Sequence, residues 1–520
     1  MRRPALALAL LALLAAGCAY LPEAEDGPPE EVWSDYQPPA PEEEPDTPAE
    51  PAYPAALSLP YDKNQTLDPV TCGEGIQDTA AALLYEPLFR LDGRFEPVPL
   101  LCESWSWDET GLVCTLEVRE GVTFSDGSPL TARDVEETLL RAVESERYAY
   151  RLRSVAAVAA NRAGQVVITL SAPNRALPAL LDVPIVKRGT AGDRVPLGTG
   201  PYVLAGEGGA ERLAAREDWW RGKTLPVRDI PLVHAKDRDT AMHLFSTRQV
   251  ELLAADPTDD PSLASGQSQT TPQPTAIMQF VGFNAAEGRL FADPALRALF
   301  SRGVDRETLA FAQLAKLATA AQFPVSPLSP LYPKELEAAY SEEEVLSALH
   351  AAGQNTGEIR ELTLLVAEGD GFRSASARFI AERLSLLDWR ITVAELPWES
   401  YLAALEAGEF DLYFGEVRLT ADWDLTDLVG TEGALNYGGY ANETTDILLQ
   451  LFAAAEDRAD TARRLYSHLQ STAPLAPICF KEYSVLTHPG VVEGLSPAPA
   501  YVFQDMDKWT VRLSAADGTE

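Results

Sequence analysis

The apolar and polar positions of the chain fall into blocks that can be read as elements in turn. Leu57 to Tyr61 reads as a first strand and Ile76 to Leu88 as a helix. A β-rich block follows, with Glu103 to Trp107, a turn at Asp108 to Gly111, and an alternating run from Leu112 to Val118. Asp126-Gly127 and Ser128-Pro129 supply turn chemistry. Thr131 then stands as an N-cap with Asp134 in the capping-box position, and Val135, Leu139, Leu140 and Val143 give the next helix its expected buried face.

In the second half, Asp293 before Pro294, Asp305, and Ser341 with Glu344 mark helix starts, the last for a helix ending at Gly353. Leu362 to Ala367 is a strand pattern, and Phe372 to Leu387 carries apolar residues at Phe379, Ile380, Leu384 and Leu387. Ile391 to Leu396 is a second strand, Trp398 to Ala407 a helix stopped by Gly408, and Asp411 to Val417 a third strand. Strand–helix–strand–helix–strand is the repeating unit of a parallel α/β sheet with right-handed crossovers. Ligands of open α/β sheets sit beyond the carboxyl ends of the strands, and Asp422 and Trp423 lie just past such an end. Ala473 to Phe480 is one more apolar strand.

The first residues set the compartment. Arg2-Arg3 precede an unbroken apolar run from Ala5 to Ala16, too short for a permanent span but suited to a signal segment. From Ala19 to Pro54 there is no Lys or Arg, and Pro, Glu and Asp dominate, the composition of an extended, self-repelling spacer. No later run is long and apolar enough to span a bilayer. A length of 520 residues calls for two or three domains, and 46% hydrophobic content for a sizeable core. The formal charge of −36 argues against nucleic acid and against an anionic membrane surface as partners. Cys72, Cys102, Cys114 and Cys479 fit no zinc spacing; three disulfide pairings or free buried thiols are all open.

Catalytic machinery is not found. There is no GxSxG elbow, no phosphate-cradling GxxxxGK[ST], and the five His residues show neither HExxH nor clustered spacing. No catalytic residue, metal or cofactor is therefore expected. Asp422 and Asp424, two positions apart, make a poor glycosidase pair, which needs carboxyls facing across a sugar. An Asp beside a Trp suits a peptide's ammonium better: the carboxylate supplies charge-assisted acceptors and the indole packs over the cation.

Several motifs in order carry a resemblance. Tyr85-Glu86-Pro87-Leu88, Glu103-Ser104-Trp105 and Val118 to Val122 running on to Asp134-Val135 come first. Gly198 to Tyr202, Phe283-Asn284, Phe291 to Arg297, Val304-Asp305-Arg306, Trp398 with Phe410-Asp411, and Asn436 to Tyr440 follow. Together, from Leu57 to Arg512, the chain resembles family 5 of the bacterial extracellular solute-binding proteins, the oligopeptide-, dipeptide- and nickel-binding components of ABC importers. Ala15-Ala16-Gly17-Cys18 resembles the lipobox of bacterial lipoproteins, although Ala15 stands where Leu is usual; it implies acylation of Cys18 and a lipid anchor on the outer face of the cell membrane.

The resemblance implies an α/β fold of the periplasmic-binding-protein type II, with two α/β lobes joined by a two-segment hinge and a β-rich subdomain inserted in the first lobe. The expected boundaries are a signal peptide at 1–18 and a tether at 19–55. Lobe I is expected from 56–85, 191–270 and 472–515, the insertion from 86–190, and lobe II from 271–471. It further implies a monomer that delivers a short peptide to permease subunits, without enzymatic activity. Ala421-Asp422-Trp423 matches the Ala-Asp-Tyr pattern whose Asp pairs with the ligand's α-ammonium in oligopeptide-binding relatives, but Asp424-Leu425-Thr426 stands where the family's Pro follows. Trp423, Asn436, Tyr437, Tyr440, Trp398, Tyr148 and Tyr150 are the further ligand-binding candidates. An oligosaccharide, heme or metal chelate as ligand, a peptide-sensing receptor, and a carboxylate hydrolase are the alternatives.

Overall fold

The computed structural model describes residues 53–256, 268–314, 317–354, 356–369, 371–385 and 388–514. The signal segment, Cys18, the tether as far as residue 52 and Leu387 lie outside them.

Two long antiparallel strands, Gln269–Phe283 and Leu475–Thr487, form the spine. At one end, Ser484 to Thr487 also pair with Leu252–Ala255. At the other, Gln269–Phe283 pairs antiparallel with Leu412–Arg418 from Ile277 opposite Arg418 to Phe283 opposite Leu412. Leu412–Arg418 runs parallel to Arg360–Ala367, which is parallel to Trp389–Leu396. This is the expected α/β unit, with helices Gly371–Leu384 and Trp398–Glu406 as crossovers. Gly408 ends the second helix at φ +66°, as its position after the last apolar residue requires.

The register of the spine is broken between Gln279 and Phe280 and, more widely, between Pro274 and Met278. Register jumps from Pro274 opposite Glu482 to Met278 opposite Phe480, so Thr275, Ala276 and Ile277 face Lys481 alone. Such a bulge leaves residues unpaired and bends the strand, and the sheet edge beside it is the side of the expected hinge between the lobes. Because Arg418 stands opposite Ile277, the carboxyl ends of all three parallel strands lie on the edge next to the bulge.

The first lobe holds a four-stranded sheet in which Leu59–Tyr61 pairs parallel with Asp229–His234, followed by Arg212–Ala215 and Tyr202–Ala205. The inserted subdomain is an antiparallel sheet of Cys102–Trp107, Val113–Val118, Gln165–Leu170 and Val155–Ala160, covered by the helix Ala132–Glu144. The Asp134 carboxylate accepts the Thr131 backbone N–H at 2.9 Å, closing the capping box. Leu140, expected in the buried face, is 45% exposed; Ala132, Val135, Thr138, Leu139 and Ala142 form that face instead. The helix expected over Ile76 to Leu88 stops at Ala81, and Glu86–Pro87 pairs as a strand with Pro184–Ile185. Pro87 disfavours the helical region for Glu86 and removes a donor.

The quoted motifs have structural reasons. A Cβ on Gly198 or Gly200 would stand 2.1 or 2.5 Å from the carbonyl oxygens of Leu84 and Leu83, so only glycine fits. Arg306 donates to the carbonyls of Pro477 (2.7 Å) and Ser301 (2.8 Å), and burial pulls its pKa down to about 10. Arg297 likewise caps the carbonyls of Thr472 and Phe291. Both tie helices to the end of the spine. The four described cysteines are free and buried.

Candidate functional site

Beyond Arg418 the chain leaves the sheet at the hinge-side edge and turns at Thr420, whose carbonyl accepts the Trp423 N–H at 2.9 Å. That turn puts Asp422 at the surface where the lobes meet. Its Oδ2 accepts from Asn174 Nδ2 of the inserted subdomain at 2.7 Å, and its Oδ1 from Thr420 Oγ1 and the Asp424 N–H. The Arg458 guanidinium donates to its backbone carbonyl. Asp422 is only 4% exposed, so its acceptors are covered by protein donors from both sides.

Trp423 turns the other way. With φ of +56° it occupies the left-handed region, unusual for a bulky residue and held only where packing over-determines it. Its ring is 1% exposed and packs edge-on against Phe95 at 5.1 Å and Phe480 at 6.0 Å. The expected indole platform is therefore a core side chain: the positive φ that presents Asp422 to the interface drives Trp423 inward. Asp424 accepts the Thr426 N–H at 2.9 Å and an Arg153 N–H at 2.7 Å.

The other candidates are not gathered around Asp422. Asn436 accepts the Tyr440 N–H at 3.0 Å and donates to the Gly430 carbonyl at 2.9 Å, closing its own loop. That loop rests on the far end of the spine, where the Ala285 N–H donates to Gly438 O at 2.8 Å. Phe283 is six residues from Ile277 along the strand, about 20 Å from the hinge edge. Tyr440 is buried with its hydroxyl 2.7 Å from Thr445 Oγ1, and Tyr437 packs edge-on against Tyr413. All three are structural in this arrangement. Tyr148 is buried too, donating to Pro69 O at 3.2 Å. Trp398, stacked on Tyr401, stays 56% exposed on the hinge-side edge, and Tyr150 stays 49% exposed beneath the Arg153 guanidinium, burial pushing its phenol up to about 12.

The structure adds groups that the sequence did not single out. Lys481, its side chain 3% exposed, stands at the bulge with Nζ 2.9 Å from Asp256, just past the Leu252–Ala255 strand, and 3.3 Å from Glu416 on Leu412–Arg418. Glu416 also accepts from Gln279 Nε2 at 2.8 Å. Lys481 directly follows the apolar run ending Cys479-Phe480, but nothing local marks its partners or that of Asn174, which lie far along the chain. Among the described residues no group of three or more His, Cys, Asp or Glu could hold a metal ion, and no helix is long and apolar enough to cross a membrane.

Comparison with known proteins agrees with this architecture. The chain is 22% identical over 476 residues to the glutathione-binding protein GsiB of Escherichia coli K12, covering 85% of this chain and 92% of that one. HbpA2 of Haemophilus parasuis superposes with a TM-score of 0.74 at 20% identity, over 88% of this chain and 99% of that one. The oligopeptide-binding protein AppA of Bacillus subtilis, solved with a nonapeptide, gives 0.60 at 19% identity over 89% and 100%. Residues 96–429 match the profile of the bacterial extracellular solute-binding proteins, family 5 Middle, and the chain belongs to that family.

Proposed function

We propose that this protein is the extracytoplasmic receptor of an ABC importer, anchored by lipid on Cys18 and lifted off the membrane by its acidic tether, and that it captures a short peptide between its lobes. The observation that carries the peptide reading is the Asn174–Asp422 contact. An N–H donor from the opposite lobe stands 2.7 Å from Oδ2, in the place a ligand's α-ammonium takes when the lobes separate and Asn174 leaves. The peptide-binding relatives named above support the ligand class.

Capture works by differential affinity. A ligand that touches both lobes stabilises the closed state, and the bulge at Thr275–Ile277 is the place where the spine bends. Trp398, on the same edge, offers an open aromatic face to the ligand's side chains. The permease then takes the ligand from the closed receptor, with no bond made or broken.

Native mass spectrometry of the purified chain, followed by calorimetry with the species found, tests this. Recovery of an intact peptide that rebinds supports the reading. A sugar, heme or metal chelate in the cleft replaces the ligand class, and turnover of the bound species replaces receptor by enzyme.

A further inference from the structure

A second set of contacts crosses between the inserted subdomain and the Asp422 loop, all made by the protein itself. Arg153, just before the Val155–Ala160 strand, donates to Asp424 Oδ2 at 2.7 Å and lies 3.4 Å from Asp427 Oδ2. Its guanidinium is 4.5 Å from the centre of the Tyr150 ring, which holds it in place before it reaches across. Beside it Asn174 meets Asp422, and the Arg175 backbone N–H donates at 2.9 Å to Ala453 O, in the last turn of the helix Glu443–Ala454. Phe95, at the turn between the strands Phe89–Leu91 and Pro97–Pro99, seats edge-on against Trp423.

Arg153 differs from its neighbours in where it reaches. Arg141 pairs with Asp68, Arg147 with Asp78 and Arg151 with Asp182, all outside the Leu412–Arg418 lobe. Arg153 alone among these four crosses to that lobe. Its partners sit in the Asp424-Leu425-Thr426-Asp427 segment that directly follows Trp423. The half-buried setting of the three side chains makes the contact stronger than an open surface pair and still sensitive to salt.

We propose that Arg153 with Asp424 and Asp427 is a closure latch, a positioning triad that holds the ligand-free chain in the closed arrangement and so keeps Asn174 on Asp422. The inference rests on the two-lobe reading but not on the identity of the ligand. A receptor latched by its own residues must open before ligand enters, so its apparent affinity is reduced by the fraction that is open. Specificity then falls on ligands able to displace the Asn174 amide from Asp422.

The Arg175 amide is the reporter, because it is covered only when the lobes meet. Hydrogen–deuterium exchange of the ligand-free chain is followed by mass spectrometry over residues 172–178, with the Val113–Val118 and Gln165–Leu170 ladder as internal control. Arg153→Gln is expected to speed exchange at Arg175 at least fivefold and to leave the control ladder unchanged. Asp424→Asn with Asp427→Asn, which keeps the acceptor for Thr426, should give the same acceleration, and all three changes together no more than the larger effect. Unchanged exchange at Arg175, additive effects of the two sides, or equal acceleration of the control ladder would each overturn the latch. The measurement uses no ligand, so failure of peptide binding leaves it readable.

Discussion

Lys481 Nζ stands 2.9 Å from Asp256 Oδ2 where the spine loses its register between Pro274 and Met278. The same ammonium reaches Glu416 at 3.3 Å, so a single buried cation holds carboxylates from the elements on both sides of the spine. Lys481→Met keeps the length and apolar stem but removes the cation that the two carboxylates share. Loss of about 3 kcal/mol of unfolding free energy is expected, by urea titration. Adding Glu416→Gln should recover part of it, because the remaining repulsion is removed; a double variant no better than Lys481→Met would refute the shared-cation account.

Asp422→Asn keeps shape and volume while removing the charge that the proposed ligand ammonium needs. Affinity for the copurified peptide should fall at least tenfold, about 1.4 kcal/mol, by calorimetry. Only a modest fall in the melting temperature of the unliganded chain is expected, because Oδ1 still accepts from Thr420 and only the contact with Asn174 is given up. Equal affinity of variant and parent would remove Asp422 from the binding reading.

How much of this was legible beforehand depends on the range of the signal. The parallel unit from Arg360 to Arg418 and the caps at Thr131, Asp293 and Ser341 are written in local periodicity and cap chemistry, and the structure has them. The position of Asp422 just beyond a strand end was legible. Trp423 was misread because the sequence does not display the φ of +56° that separates it from its neighbour. The Asn436–Tyr440 loop reads as site composition, but its Gly, Asn and Tyr serve a tight dock on Phe283. Asn174, Arg153 and Lys481 draw their meaning from partners on other elements, which no window along the chain contains.

Gly438 makes that dock testable. A Cβ there would stand 2.0 Å from the Phe283 carbonyl oxygen, a backbone atom at the end of the spine that cannot swing aside. Gly438→Ala is expected to cost about 1–3 kcal/mol of stability by chemical denaturation. Since the loop lies far from the hinge edge, peptide affinity measured on the folded fraction should be unchanged. A large drop in affinity at full stability would return the loop to the binding site.

His488 gives the chain a pH dependence of definite sign. Its ring stacks on Phe245 with centroids 4.4 Å apart, and its Nε2 lies 3.3 Å from the Val250 carbonyl. Burial first, and the Arg248 charge second, hold its pKa below the usual 6.5. The unfolded chain therefore takes up a proton near pH 6.5 that the folded chain still refuses, and stability contributed by this ring falls as pH drops from about 6.5 toward the folded value. Glu251, facing the ring at 3.7 Å, has its own pKa raised by burial. Unfolding free energies at pH 7.5, 6.5 and 5.5 should accordingly decline for the parent chain and decline less for His488→Gln, which can keep a polar contact but cannot titrate. Parallel pH profiles for the two proteins would show that the loss of stability in acid arises elsewhere.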